Sequence, residues 1–293
     1  MARWSLILLI VSLSAPLVAR AQVPHATFER GDLILSLESG PILWRLPDGT
    51  PRGTLVSRVA GTGEGMAFDS SGRLFVARWR TDSFGITHDA VEVFNTFGVS
   101  SGEAGGGYNC GPHAIVFDVT DTAYVGQGGC RGSILKFVPG AVAPTEFLVA
   151  PDNAGAFWID LAADGCTIFY TSFGPNVKRF DVCAGVQLPD FNVASLPGGI
   201  AQDLRVLPGG GVLVSSGDVV ARLNPAGVLV QTYAVAGDGG LWAGLDLVGD
   251  GTFWVANYHS SNVYRFDLAT GTVLSGFNTG TPPNSVVGLR VRK

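Results

Sequence analysis

The sequence predicts an all-β protein folded as a six-bladed β-propeller, and three observations lead to this prediction. Glycine is abundant, with 41 of 293 residues, and helical patterning is scarce, as expected for many short strands joined by tight turns. One strand pattern recurs along the chain with anchors 41 to 49 residues apart. The last copy of this pattern is incomplete and complements an incomplete first copy, which indicates a closed ring.

Each repeat begins with an apolar-x-apolar strand, continues through a turn that carries Asp or Gly, and enters a second strand. The first strands share equivalent anchor residues: Met66, Ile115, Ile159, Leu204, Leu245 and Leu289. A third strand and a weaker fourth strand follow, and four strands at this period are typical of a propeller blade. A pair of β-sandwiches is the alternative architecture.

The sixth repeat is split between the two ends of the chain. Residues 288–291 have the first-strand pattern, whereas residues 32–35, 41–46 and 55–59 supply three later strands with no first strand before them. The C-terminal strand, at about residues 286–291, is therefore predicted to complete the N-terminal blade. We expect one propeller domain over residues 22–293.

The N-terminus has the pattern of a secretory signal peptide. Arg3 precedes an apolar run over residues 5–18, and Ala19-Arg20-Ala21 fits the small-x-small cleavage rule. The run is short for a membrane span, although an N-terminal membrane anchor is the alternative. Residues 1–21 are thus predicted to be removed, and the mature protein is expected in the periplasm or outside the cell.

The charge of the mature chain limits its partners. Removing Arg3 and Arg20 leaves 17 basic residues against 24 acidic ones, a net charge of −7. No basic face is visible, so nucleic acid is not an expected partner. No further apolar stretch reaches membrane length, so no membrane partner is expected either. We expect a monomer whose partner is a small molecule or a protein.

The four cysteines form two pairs, each centred on a predicted hairpin turn. Partners in a hairpin have a constant sum of residue numbers, and this rule pairs Cys110 with Cys130 and Cys166 with Cys183. An exported chain permits disulfides. The two predicted bonds stabilise their blades and carry no chemistry.

Residues with functional chemistry gather on one face of the predicted propeller. Ligands usually bind on the face formed by loops that lead into first strands and loops that join second to third strands. The candidate ligand-binding residues there are Arg78, Trp79, His88, Gln202, Asp203 and Asn257.

The same face holds the candidate catalytic residues. His113 and His259 are the candidates for acid–base chemistry, and Glu64 with Asn257 for a metal site. The alternative is that these histidines are solvated side chains in loops.

A second charge pattern lies one residue after four of the anchors. Asp160, Arg205, Asp246 and Arg290 alternate in sign on successive blades. Charges on inner strands are costly unless they are paired, so we predict ion pairs between blades around the channel. An inner face wet enough to solvate each charge is the alternative.

Several segments resemble NHL-type propeller repeats, namely residues 65–77, 112–118, 244–257 and 262–267. Gly63-Glu64-Gly65, before a first strand, is similar to the calcium-binding Glu-Gly motif of the gluconolactonase (senescence-marker-protein) family. That resemblance implies lactone hydrolysis with calcium or magnesium at Glu64 and Asn257. The streptogramin B lyase propellers use a histidine and a metal-binding glutamate, and His259 and Glu64 are similar to these.

Two functions follow from the sequence. The favoured one is an exported, disulfide-stapled propeller that binds a ligand or a protein at the channel mouth. The alternative is a metal-assisted lactone hydrolase or lyase at the same mouth.

Overall fold

The structure, a computed structural model, describes residues 26–59, 61–81, 87–109, 111–130 and 132–293. The predicted signal peptide and Cys110 lie outside these residues. The described part consists of strands, turns and loops, and it holds no helix long and apolar enough to cross a membrane.

The repeats alternate short apolar segments with glycine-containing turns, and the chain therefore folds into short strands. The first twelve strands in chain order are β1 (Leu33–Leu37), β2 (Ile42–Arg45), β3 (Pro51–Leu55), β4 (Thr62–Phe68), β5 (Leu74–Thr81), β6 (Thr87–Phe94), β7 (Ser100–Ala104), β8 (Pro112–Phe117), β9 (Ala123–Gln127), β10 (Ser133–Phe137), β11 (Thr145–Leu148) and β12 (Ile159–Leu161). The remaining strands are β13 (Thr167–Tyr170), β14 (Lys178–Asp181), β15 (Val186–Leu188), β16 (Ala201–Val206), β17 (Val212–Ser216), β18 (Val219–Leu223), β19 (Leu229–Tyr233), β20 (Trp242–Leu247), β21 (Thr252–Asn257), β22 (Asn262–Asp267), β23 (Val273–Asn278) and β24 (Val286–Val291).

The strands described above form six antiparallel four-stranded sheets, which confirms the predicted six-bladed β-propeller. Five sheets use consecutive strands, as in β4-β5-β6-β7, and the sixth has the order β24-β1-β2-β3. In that sheet Leu33 pairs with Val291 and Leu37 with Val286. The C-terminal strand therefore completes the N-terminal blade as predicted. The inner strands β24, β4, β8, β12, β16 and β20 contact one another in ring order.

The core lies between neighbouring blades. Ile34 and Trp44 of the first blade pack in one buried cluster with Met66 and Val76 of the second. Equivalent clusters join the other blades because a propeller sheet buries the side chains of both its faces. This packing fixes the orientation of each inner strand toward the channel.

Glycines let the inner strands approach one another closely. A Cβ on Gly244 would lie 2.2 Å from the backbone N of Leu289, and one on Gly65 would lie 2.4 Å from the Trp158 ring. Neither position leaves room for a side chain. These glycines set the distance between inner strands and so the width of the channel.

A disulfide joins Cys166 and Cys183, with 5.2 Å between their Cα atoms. It connects the start of β13 to the end of β14, where the backbone N of Val182 also donates to the carbonyl of Cys166. A bond between residues 17 apart restricts the unfolded chain and is worth about 3 kcal/mol in the chain-entropy account. The pairing of Cys110 with Cys130 involves a residue outside the described part and stays a prediction.

Buried charged side chains connect neighbouring inner strands near the channel through ion pairs and hydrogen bonds. Asp246 accepts a hydrogen bond from Arg205 Nε at 3.0 Å and lies 3.5 Å from Arg290 Nε. Arg205 also pairs with Asp203 at 2.6 Å. Asp160 accepts a hydrogen bond from the backbone N of Val206 in the next blade, at 2.8 Å. The four residues of the alternating pattern therefore hold neighbouring inner strands together.

Candidate functional site

Bulges in the inner strands place the functional side chains at the channel mouth. The pairing register shifts between Gly63 and Met66 in β4, between Pro112 and Ala114 in β8, and between Ala201 and Leu204 in β16. Bulges redirect side chains and are common beside active sites. Glu64, His113 and Gln202 stand at these shifts and line cavities at the mouth.

Two adjoining cavities occupy the mouth, with volumes of about 450 Å³ and about 280 Å³. They share Glu64, Trp79, Phe157 and Phe173 as lining residues. The larger cavity is in the size range of small-molecule sites, which are concave and mostly apolar with a few polar groups. The two mouth cavities are also concave and mostly apolar, and Glu64, His113 and Gln202 supply polar groups.

Aromatic rings form the walls of the larger cavity. The Phe157 ring lies 3.9 Å from the Phe173 ring and 4.1 Å from the His113 ring, measured between centroids. Trp79 lies 5.6 Å from His113 on the other side. Because these rings pack against one another, the walls are held in place before any ligand arrives.

A carboxylate and an imidazole face each other within this aromatic enclosure. Glu64 Oε1 accepts a hydrogen bond from Trp79 Nε1 at 3.0 Å, and Glu64 Oε2 lies 3.9 Å from His113 Nδ1. Both side chains are about nine-tenths buried, and His113 Nδ1 is a buried nitrogen with no hydrogen-bond partner among the described residues. The separation exceeds hydrogen-bond length. The Glu64 carboxylate and the His113 imidazole can therefore still form hydrogen bonds with a ligand or exchange a proton with it.

A second carboxylate lies at the rim. The hydroxyl of Tyr258 donates a short hydrogen bond to Glu38 Oε2, and both residues line the smaller cavity. Burial, the hydrogen bond to Glu38 and the charges of Glu38 and Glu64 raise the pKa of Tyr258 to about 12. The phenol is therefore a hydrogen-bond donor at neutral pH, in a negative environment.

Two predicted ligand-binding residues lie away from the mouth cavities. Arg78 is buried, with its Nε 2.8 Å from Glu92 Oε2, and it donates to the carbonyls of Gly40 and Gly61. Asp203 is bound to Arg205 and accepts from the backbone N of Leu245 at 2.7 Å. Their partners lie within the protein, so both side chains serve the packing of blades.

The remaining predicted residues lie at strand ends and in a loop around the mouth. Asn257 is buried and organises its loop, since its amide donates to the carbonyl of Asp238 and accepts from the backbone N of His259. His259 is exposed, and its Nδ1 accepts from the backbone N of Leu241. His88 is exposed on β6. The structure thus brings together Glu64, His113, Trp79 and Gln202.

The metal site predicted at Glu64 and Asn257 stays a prediction, because no cluster of three His, Cys, Asp or Glu side chains close enough to hold a metal is found among the described mouth residues. Among the described residues, the one cluster of three His, Cys, Asp or Glu side chains close enough for a metal is Cys166, Asp181 and Cys183. Its sulfurs form the disulfide. Glu64 already accepts from Trp79, and Asn257 uses its carbonyl oxygen within its own loop.

Several lining residues were not among the predicted site residues, Glu38, Phe157, Trp158 and Phe173 among them. Glu38 follows β1 in the loop that joins the second and third strands of the split blade, which is the type of loop that supplies Phe173 in the fourth blade. This loop position in the repeat could have identified Glu38 as a candidate site residue. Phe157 and Trp158 precede the short strand β12, and their apolar character alone does not distinguish a cavity wall from the core.

No protein-family model matches the chain, and no curated protein is similar to it in sequence. Similarity to solved structures is extensive but distant. A chain in the crystal structure of a nidogen/laminin complex is 12% identical with a TM-score of 0.72, covering 88% of this chain and 97% of that one. A protein of unknown function from Bacteroides caccae is 14% identical with a TM-score of 0.70, covering 90% and 100%.

A streptogramin B lyase structure is also similar, with 12% identity, a TM-score of 0.60 and coverage of 87% of this chain and 76% of that one. At this level of identity the likeness concerns the fold alone. The neighbours are six-bladed propellers, in agreement with the distant resemblance noted from the repeats. Because propellers serve many functions, the site itself has to indicate the activity.

Proposed function

We propose that this protein is an exported, disulfide-stapled β-propeller that binds a small molecule at its channel mouth. The observation that carries the proposal is the aromatic cavity of about 450 Å³ around Glu64 and His113. Its concave form favours a small molecule over a protein partner, which would need a larger and flatter surface. The predicted signal peptide and the Cys166–Cys183 disulfide support export to an oxidising compartment.

Replacing Phe173 with alanine is expected to weaken the binding of aromatic fragments at the mouth by about tenfold. Phe173 lines both cavities and packs against Phe157, so its loss removes a wall and loosens its neighbour. Ligand-observed NMR of the mature protein with a panel of aromatic fragments measures the effect.

The matched control is Phe97→Ala. Phe97 is an exposed phenylalanine in the turn between β6 and β7, at the opposite end of its blade from the mouth. This variant should bind the fragments as the wild type does. Equal binding by all three proteins would contradict a binding site at the mouth.

The Glu64–His113 pair favours a second candidate, a hydrolase or lyase that uses the mouth for acid–base chemistry. An imidazole beside a carboxylate in a largely apolar cavity is a common acid–base arrangement. The resemblance to gluconolactonases and streptogramin B lyases adds a divalent metal to this candidate. Because no cluster of three His, Cys, Asp or Glu side chains close enough to hold a metal is found among the described mouth residues, ligand binding is the better supported function.

Treatment with EDTA is expected to leave the melting temperature of the mature protein unchanged, because the described mouth residues include no cluster of three His, Cys, Asp or Glu side chains close enough to hold a metal. Elemental analysis of protein purified without chelator should find calcium and magnesium well below one per chain. Stoichiometric calcium that is lost in a Glu64→Gln variant would instead establish the metal-assisted enzyme.

A further inference from the structure

The charge of the mouth restricts what can bind there. Glu64 lines both cavities and Glu38 lines the smaller one, and neither lysine nor arginine stands among the described residues around either cavity. Among the described lining residues of these two cavities, the two carboxylates outnumber the Lys and Arg side chains and favour a negative potential. Anionic ligands are therefore repelled, and cations are attracted.

The hydrogen-bonding groups inside the mouth are incompletely used. Glu64 accepts from Trp79 through Oε1, but Oε2 lies 3.9 Å from His113, too far for a hydrogen bond. His113 Nδ1 is buried without a partner among the described residues. A buried carboxylate oxygen stabilises a positively charged group strongly because the surroundings are apolar.

The walls add a second attraction for the same charge. The rings of Trp79, Phe157 and Phe173 line the same cavity as Glu64. Aromatic faces attract ammonium groups within about 6 Å of the ring centroid, and the attraction grows when the cation is desolvated. A neutral apolar ligand would use the rings but would leave the carboxylates without a partner.

From this combination we infer that the ligand is an organic cation, an amine or quaternary ammonium attached to an apolar or aromatic group. The cationic group lies between Glu64 and the rings, and the apolar group fills the adjoining cavity toward Trp158 and Leu241. This inference rests on the proposed small-molecule binding at the mouth and specifies its ligand class.

Three aromatic probes of similar size but different charge test the inference: benzyltrimethylammonium, benzyl alcohol and phenylacetate. Titration of the mature wild-type protein with each probe, monitored by calorimetry or ligand-observed NMR, should show that the cation binds about tenfold more tightly than the alcohol. Phenylacetate should bind most weakly. The preference for the cation should decrease as salt is added.

Glu64→Gln should reduce the affinity for benzyltrimethylammonium by about tenfold while leaving that for benzyl alcohol unchanged. Glutamine keeps an oxygen that can accept from Trp79, so the walls remain in place. Glu38→Gln, at the exposed rim, should show the same trend to a smaller extent and provides a variant whose folding is not in question. Glu103→Gln, on the outer strand β7 of the same blade as Glu64, is the matched control and should bind as wild type.

The outcomes separate the inference from the proposed function. Equal or tighter binding of the neutral alcohol would overturn the cationic ligand class and leave binding at the mouth intact. Failure of all three probes up to millimolar concentration would overturn both. Cation binding that Glu64→Gln and Glu38→Gln leave unchanged would place the probe elsewhere and also overturn the inference.

Discussion

Replacing Asp246 with alanine is expected to lower the free energy of unfolding by about 3–5 kcal/mol. Asp246 is fully buried and faces Arg205 and Arg290 across two blade boundaries. It also accepts hydrogen bonds from the backbone N of Leu247 and of Val291. Its removal leaves buried positive charge and backbone donors without their acceptor.

Urea unfolding of the mature protein, with its disulfides intact, measures this cost. Asp250→Ala is the matched control because Asp250 lies in the same blade and also pairs with an arginine, Arg265, but in an exposed position. Screening by solvent limits the loss there to about 1 kcal/mol. Similar losses in the two variants would contradict the role of Asp246 as a buried link between blades.

The effect of Asp246 has a defined dependence on pH. Burial alone would raise its pKa, but the charges of Arg290, Lys293 and Arg205 outweigh burial and hold the pKa well below the ordinary range. A lowered pKa in the folded state stabilises the fold above the ordinary carboxyl pKa, and this contribution is lost as the pH falls through the folded value. The difference between wild type and Asp246→Ala should therefore shrink progressively as the pH falls below the ordinary carboxyl pKa of about 4.

The position of the blades was predictable from the sequence because each repeat marks its first strand. The anchors Met66, Ile115, Ile159, Leu204, Leu245 and Leu289 all lie on inner strands. The apolar-x-apolar pattern records which side chains pack between blades, and the turn residues record where the chain reverses. The same logic gave the closure by β24, since a blade without a first strand exposes an unpaired edge.

The site was predictable only in part. Glu64 and His113 lie two residues before their anchors, and this shared position is enough to bring them to one face. What the sequence does not record is the direction of a long side chain. Arg78 was predicted to lie in the loop after the second strand and therefore at the mouth. It lies instead on β5, and its guanidinium pairs with the buried carboxylate of Glu92, which compensates its charge.

The aromatic walls were the hardest part to predict. Phe157 and Phe173 are apolar residues in loops of the fourth blade, and such residues more often fill gaps between blades than line a cavity. Their arrangement depends on irregular pairing before the short strand β12, where the backbone N of Phe157 donates to the carbonyl of Thr171 and the backbone N of Thr171 donates to the carbonyl of Trp158. The repeat pattern predicts where the strands lie, but it does not predict where the regular pairing of a strand begins or ends.

Replacing Asp203 with asparagine is expected to reduce the loss of stability that accompanies a rise in pH from about 4 to about 7. Asp203 is fully buried, and this burial raises its pKa to about 7 despite the charge of Arg205 and the hydrogen bond from Leu245. An acid whose pKa is raised by folding stabilises the fold while it is protonated, and this stability is lost as the pH rises through the folded value. For the wild type we expect a loss of up to about 4 kcal/mol across this range.

Urea unfolding at a series of pH values measures the slope directly. The asparagine variant should be less stable than wild type near pH 4 and as stable or more stable near pH 8, because asparagine carries no charge to desolvate. Asp218→Asn, at an exposed position in the same blade, should keep the wild-type profile. A wild-type stability that rises between pH 4 and pH 7, unchanged in Asp203→Asn, would mean that Asp203 stays ionised. In that case Arg205 would compensate its burial completely, and the channel charges would act as permanent ion pairs at every pH the protein encounters.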